Sequence, residues 1–314
     1  MAENAPRPPR PKKRDVSGWL ILDKPVGMTS THAVAVAKRL MNARKAGHAG
    51  TLDPLASGLL PIAFGEATKT VPFVMDGEKA YRFEVTWGEE RDTDDAEGRA
   101  VATSEARPDR AAIEALIPSF TGVILQTPPK FSAIKIAGER AYDLARDGEV
   151  VELAPRPVEI RSLRLVEHEP SRSVFEATCG KGTYVRAIAR DMGRALGCLG
   201  HVSALRRTRV GPFDEASSAT LEAVEDAIAA QGPGTPPETG TLRPVIQALG
   251  DLAQISVSRS DAARLRRGQA ILLRGRDAPV MDETVCVTCF GELVALADVA
   301  QGEAHPTRVF NLQG

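Results

Sequence analysis

No apolar run in this 314-residue chain approaches the ~18 residues that a membrane helix needs. Its first residues hold no apolar core of a secretory signal, so a cytoplasmic protein is expected rather than a membrane or secreted one. Cysteine is scarce: Cys179, Cys198, Cys286 and Cys289 are the four present. So few exclude a disulfide scaffold and suit a reducing compartment. Neither sign of charge is in excess, with 40 Lys and Arg against 41 Asp and Glu. Bulk charge therefore gives no reason to expect a nucleic-acid partner, and only its distribution could. Cofactor signatures are missing too, since the chain has no GxGxxG and no GxSxG. Cys286-Val-Thr-Cys289 has the spacing of half a zinc site, but no second ligand pair follows, and in a strand-like run positions three apart point to opposite faces. The acidic run from Asp92 to Gly98 lacks the fifth-position ligand and the downstream Glu of a calcium loop, and reads as an acidic turn between strands. Gly65-Glu-Ala-Thr-Lys69-Thr70 ends like a phosphate loop without the Gly that should precede its Lys. No metal and no cofactor is expected.

What is present is an ordinary globular mix, 43% hydrophobic and 26% charged, long enough for about two domains. Charge is unevenly spread. Residues 161–209 carry a net +6, residues 76–97 a net −6 and residues 259–276 a net +5. Scattered solvated charge is one reading of each cluster; several basic stretches in a neutral chain also suggest a face that meets phosphate.

Residues 1–16 are rich in Pro, Arg and Lys without apolar period, and read as a disordered basic arm. Trp19 to Leu22 reads as a buried strand, followed by a helix capped by Thr29 or Ser30 and running to about Arg44. Residues 47–61 hold three Gly and two Pro, a constrained loop rather than a regular element. Residues 80–87 alternate as a half-buried strand, with Tyr81, Phe83, Val85 and Trp87 on one face. A helix is expected at 109–117, then a short strand at 131–136, a helix around 141–146 and a strand at 150–153. Strand 173–179 leads through Gly180-Lys-Gly182 into a helix from Thr183 to about Leu196 that places Arg186, Arg190 and Arg194 on one face. Residues 231–240 read as a linker, and from about Asp251 short strands and turns indicate a small β-rich module.

Asp53 is the carboxylate of interest. A lone Asp-Pro is most simply a turn, but this one sits in a stiff loop among Leu52, Leu55, Leu59 and Leu60. A rigidly held carboxylate beside apolar residues suits nucleophilic or acid–base chemistry, and needs a cation to stay ionised there. Arg186 is a plausible partner. Tyr81 borders the apolar strand face and Tyr184 lies two residues before Arg186; for both, core packing competes with a role in a site.

The stretches Gly18–Ser30, Gly47–Pro61 (Gly-His-Ala-Gly-Thr-Leu-Asp-Pro-Leu-Ala-Ser-Gly-Leu-Leu-Pro), Lys79-Ala-Tyr81, Pro128–Ala133, Gly180–Arg186 and His201–Arg207 resemble, in order and spacing, the stand-alone bacterial members of the TruB family of tRNA pseudouridine synthases. The resemblance covers roughly residues 17–250. It implies an α+β catalytic domain on a mixed, mainly antiparallel sheet with flanking helices. Residues 251–314 fit in size and texture the small RNA-binding PUA-like domain such proteins carry. The implied reaction detaches the uracil of uridine-55 in the tRNA T-loop, rotates it and rejoins it through C5 after flipping the base, with no cofactor. By the same resemblance Asp53 is the catalytic carboxylate, attacking the sugar or removing a sugar proton. Tyr81 stacks on the base and aids the late proton transfer, and Arg186 pairs with Asp53. His48 fills the space left by the flipped base, and Tyr184 and Leu205 line the pocket. Lys24 and the basic 186–209 region are candidates for phosphate contacts. The segment 124–152 resembles an insertion that clamps the T-loop, which argues against dependence on a guide RNA. A monomer is expected.

Two other readings stay open on the residues alone. One is a tRNA-binding folding chaperone with secondary or lost modification activity. The other is a glycoside or nucleoside hydrolase, which would call for a second carboxylate. Because the motifs all precede residue 208, a chain ending near residue 250 is expected to retain activity on a short stem-loop.

Overall fold

A computed structural model describes residues 12–132, 135–136, 139–140, 153–230, 241–273 and 283–312. The first eleven residues of the arm, the linker 231–240, the helix expected around 141–146 and all but the last residue of the strand expected at 150–153 lie outside them.

Strand β1 (Gly18–Lys24) leads to helix α1 (Ser30–Leu40), β2 (Ala46–His48) and β3 (Ser57–Phe64). Then follow α2 (Val71–Asp76), β4 (Lys79–Trp87), β5 (Glu89–Arg91), β6 (Ala100–Thr103), α3 (Arg110–Leu116), β7 (Gly122–Gln126), β8 (Lys135–Ile136) and β9 (Glu139–Arg140). Next come β10 (Arg156–Glu169), β11 (Arg172–Cys179), α4 (Val185–Ala195), β12 (Gly200–Val210), β13 (Phe213–Asp214) and α5 (Leu221–Ala230). The last region contains β14 (Gln254–Ser256), α6 (Arg259–Arg266), β15 (Ile271–Leu272), β16 (Glu283–Cys289), β17 (Glu292–Ala300) and β18 (Glu303–Val309).

The α1 boundaries follow from its caps. Thr29 Oγ1 accepts from His32 N at 3.1 Å. The helix stops at Leu40, short of the expected Arg44, because Asn42 turns left-handed at φ 46°. Ala43 N then donates to Lys38 O and Asn42 N to Arg39 O, a Schellman ending with Asn in the usual glycine place. The loop expected over 47–61 is shorter than read: β3 begins at Ser57 and runs through Pro61.

The large sheet has nine strands in the order β1-β3-β12-β4-β11-β10-β7, with β2 also on β3 and β13 on β12. Among the described residues every pairing in it is antiparallel except β3 with β12, in keeping with the mixed, mainly antiparallel sheet expected. The long strands β10 and β12 went unread in the sequence. At the β3–β12 contact Gly58 has φ +97°, and a Cβ there would lie 2.2 Å from the Arg207 carbonyl oxygen. Only glycine fits that approach.

β1 is buried on both faces, which explains its unbroken apolar run. Leu20 and Leu22 join the core formed with α1 and α4. Trp19 and Ile21 join a second core with Leu59, Ala63, Val245 and Leu249, to which the C-terminal module contributes Cys286, Leu293, Leu296 and Phe310. The module itself is a five-stranded sheet, β14-β16-β17-β18-β15, with α6 against it. Cys286 belongs to the shared core and Cys289 to the module's own, so the two thiols serve opposite faces, as the strand reading requires.

The shared core alters the expectation that the catalytic domain stands alone after residue 250. Ending the chain there would bare Trp19, Leu59 and Ala63 beneath the Asp53 loop. Lys69 Nζ also donates to Val309 O at 2.7 Å and Asn311 N to Glu66 at 2.7 Å. We expect Phe310→Ala, far from Asp53 in sequence, to cost about 3–5 kcal/mol. It should unfold with the whole protein as one transition in urea; a separate early transition confined to the module would show that the two units are uncoupled.

Candidate functional site

The loop 49–56 is tied down from every side. Ser30 Oγ accepts from Leu52 N at 2.9 Å and donates to Leu52 O at 2.8 Å. Gly27 N donates to Pro54 O, and Ala56 N to Asp53 O. From the sheet beneath, Arg207 on β12 donates to Leu59 O at 2.7 Å and to the carbonyls of Thr51 and Gly50 at 3.2 Å. Its guanidinium is buried and makes up for the hydrogen bonds an irregular loop cannot make to itself.

Asp53 thus presents its carboxylate on a fixed backbone. Its Oδ2 lies 2.9 Å from Arg186 Nη2, the arginine side chain being 6% exposed and the aspartate 37%. Arg186 sits in the first turn of α4 and holds four acceptors at once. Nη1 reaches Asp95 Oδ2 at 3.2 Å and Thr93 O at 2.8 Å, and Nη2 also donates to Phe131 O at 2.9 Å. Asp95 is further satisfied by Thr93 Oγ1 at 2.6 Å and Glu97 N at 3.1 Å. One buried cation therefore serves two carboxylates: Asp95 below it neutralises it, and Asp53 above it faces a cleft of about 310 Å³. The acidic run dismissed as a calcium loop is indeed a turn, and it is also the support of this arginine.

The backbone at the start of α4 is set by Gln126 on β7, whose side chain accepts from Tyr184 N at 2.8 Å and donates to Tyr184 O at 3.2 Å. Tyr184 lines the cleft with Arg156 5.4 Å above its ring. Tyr81 and Leu205 line it as well. Burial pushes the Tyr81 phenol upward, with Arg207 pulling the other way. Lys79, also in the lining, is lowered to about 8 by burial and donates to the Met75 and Gly77 carbonyls.

Two candidates fall elsewhere. Lys24 is fully buried. Its Nζ donates to Pro25 O and Met28 O at 2.8 Å, and burial lowers it to about 8 while Asp53 pulls it back up. It staples the turn that braces Pro54 and cannot reach a phosphate in solvent. His48 lies on β2 opposite Ile62 and is not part of the cleft lining.

The bases of the 186–209 region are largely paired within the protein. Strand β4 pairs with both β11 and β12, so the acidic stretch 76–97 lies against the basic stretch 161–209. Arg161 meets Glu78, Lys181 Asp76, Arg172 Glu84, Arg194 Glu90 and Arg190 Asp94. Arg206 meets Asp23 and Glu215. These pairs contribute little stability where exposed, but they consume the charge. Arg207, Gln126, Ser30 and Asp95 were missed in the sequence. Only Arg207 carried a signal, lying two positions after Leu205 on the same strand face.

A family model described as TruB family pseudouridylate synthase (N terminal domain) matches residues 38–185, and one described as tRNA pseudouridylate synthase B C-terminal domain matches residues 186–253. The β-rich module beyond lies outside both. A protein of Rhodopseudomonas palustris named tRNA pseudouridine synthase B is 67% identical over 307 residues, 98% of this chain and 84% of that one. A protein of the same name from Rhizobium meliloti is 56% identical over 98% of this chain and 99% of its own length. Among solved structures, one described as a Cbf5-Nop10-Gar1 complex is similar with a TM-score of 0.72 and 26% identity, over 94% of this chain and 84% of that one. Another, of an H/ACA RNP bound to a substrate RNA containing 2'-deoxyuridine, is similar with a TM-score of 0.73 and 25% identity, over 94% and 85%.

Proposed function

Since this chain belongs to the TruB family of pseudouridylate synthases and is an isomerase acting on tRNA, we propose that its target is uridine-55 of the T-loop and that Asp53 carries the chemistry. The observation that supports this reading best is the Asp53–Arg186 pair at the mouth of a cleft lined by Tyr81. Pseudouridine is an isomer of uridine. The C1′–N1 bond breaks, C1′–C5 forms, the C5 proton leaves and N1 gains a proton, so the balance requires no other reactant. A stacked base has to leave its stack to enter the cleft. The carboxylate of Asp53 then stabilises or captures the cationic character at C1′ as the base departs, or takes a sugar proton. The Tyr81 ring offers a stacking surface for the freed uracil. Burial keeps its phenol protonated, so it can take up the C5 proton only as it hands its own hydroxyl proton to a base such as the Asp53 carboxylate, which shares the cleft. This reading includes no guide RNA.

The test is direct. The purified full chain, incubated with an unmodified tRNA transcript, should place pseudouridine at position 55. A product at another position, or none, would overturn the reading. Tyr81→Phe keeps the ring and loses the hydroxyl. It should bind tRNA normally, since stacking worth ~1–3 kcal/mol per base persists, while making little or no pseudouridine. Near-normal turnover would show that the hydroxyl is dispensable.

A further inference from the structure

Residues 24–52 contain no aspartate or glutamate. Within them Lys38, Arg39, Arg44 and Lys45 gather at the C-terminal end of α1 and in the turn after it, and Arg39, Arg44 and Lys45 are exposed. Among the described residues no carboxylate pairs with Lys38, Arg39 or Lys45. Arg44 meets Asp15 at 3.1 Å.

The start of the described chain lands on the same spot. Arg14 N donates to Asn42 O at 2.8 Å, and Arg44 N to Arg14 O at 3.0 Å. Asn42 Nδ2 donates to Lys12 O at 2.9 Å. These bonds hold Lys12, Lys13 and Arg14 beside the helix end. The contrast with residues 161–209 is plain: there each cluster of bases has acids across the sheet, whereas among the described residues Lys38, Arg39 and Lys45 meet no carboxylate.

The position is set by α1 itself. Its first residue, Ser30, grips Leu52 next to Asp53, and its 11 residues carry the other end about 16 Å away. A base-paired stem leaving the cleft alongside α1 would therefore pass the patch several base pairs from the modified loop. We propose that the arm root and the C-terminal end of α1 form a second RNA-binding surface, which holds the phosphate backbone of the base-paired stem leading away from the modified loop. This rests on tRNA being the substrate.

The experiment uses the full chain carrying Lys38→Gln, Arg39→Gln and Lys45→Gln together, none of which touches the cleft. Affinity for whole tRNA is measured across a salt series, beside wild type and Arg164→Gln, whose arginine is paired with Glu176 at 2.6 Å. At a slope of about −0.9 per phosphate neutralised, the triple variant, which loses three cations, should have a slope shallower by up to about 2.7. It should bind at least tenfold more weakly at low salt, with unchanged turnover at saturating tRNA and an unchanged melting temperature. Arg164→Gln should match wild type. Superimposable slopes for the triple variant and wild type, or an equal change in Arg164→Gln, would overturn the proposal. Wild-type turnover on the same tRNA reports separately on the function reading, so the two can fail independently.

Discussion

Asp53→Asn is expected to abolish turnover, by more than about 10³-fold, while leaving the fold and tRNA binding intact. The structure gives the reason for the second half. Removing one partner of a buried ion pair normally strands the other charge at a cost of several kcal/mol. Here Arg186 retains Asp95 at 3.2 Å and the carbonyls of Thr93 and Phe131, so its charge stays neutralised and its donors stay satisfied. The asparagine amide still fits between Leu52 and Pro54, whose backbone is held by Ser30 and Gly27. What is lost is the anionic oxygen at the cleft. The measurement is single-turnover pseudouridine formation with protein purified from a host lacking its own enzyme, together with a binding isotherm. Substantial turnover would show that Asp53 is not the catalytic group. Lost binding with a lowered melting temperature would show that it is mainly structural.

Arg186→Lys should lower turnover by about 10²–10³-fold, the usual cost of deleting one positioned donor beside a developing charge, although the formal charge survives. The structure shows a one-point contact, from Nη2 to Oδ2, with the remaining donors spent on Asp95, Thr93 and Phe131. An ammonium has three donors on one atom and cannot span acceptors placed around a guanidinium plane. Lysine would settle on the buried Asp95 and leave Asp53 free to swing. Because Arg186 is 6% exposed, tRNA affinity should not change. Full activity in the lysine variant would reduce the role to a diffuse positive field. A parallel loss of affinity would mean that the residue touches RNA.

Local pattern was enough for the elements whose burial repeats within a few residues. The alternation in β4, the unbroken apolar run of β1 and the periodicity of α4 each report a face that packs, so they could be read directly. The stiff Gly and Pro loop around Asp53 and the arginine at the start of α4 are also local features, and the residues themselves raised their pairing. The strands β10 and β12 were missed because bulges shift their register, between Ile160 and Ser162 and between Leu165 and Glu167 in β10, and between Val202 and Ala204 and between Arg207 and Arg209 in β12, which breaks the two-residue period.

Composition and local order by themselves determined a globular chain, several of its strands and helices, and a carboxylate on a rigid loop, while the α+β architecture was implied by the resemblance of its motifs. Tertiary structure alone decided which charges remain available. Lys24 reads as a surface base and is buried against two carbonyls. Arg207 reads as one more member of a basic run and is the clamp under the Asp53 loop. The basic stretch 161–209 is largely paired with an acidic stretch roughly a hundred residues away in sequence, while Lys38, Arg39 and Lys45 at the end of α1 meet no carboxylate among the described residues. The physical reason is that a charge acts through its surroundings. Its solvation, its partners and its distance from a phosphate are set by strand order and register, which bring together residues that no local pattern relates.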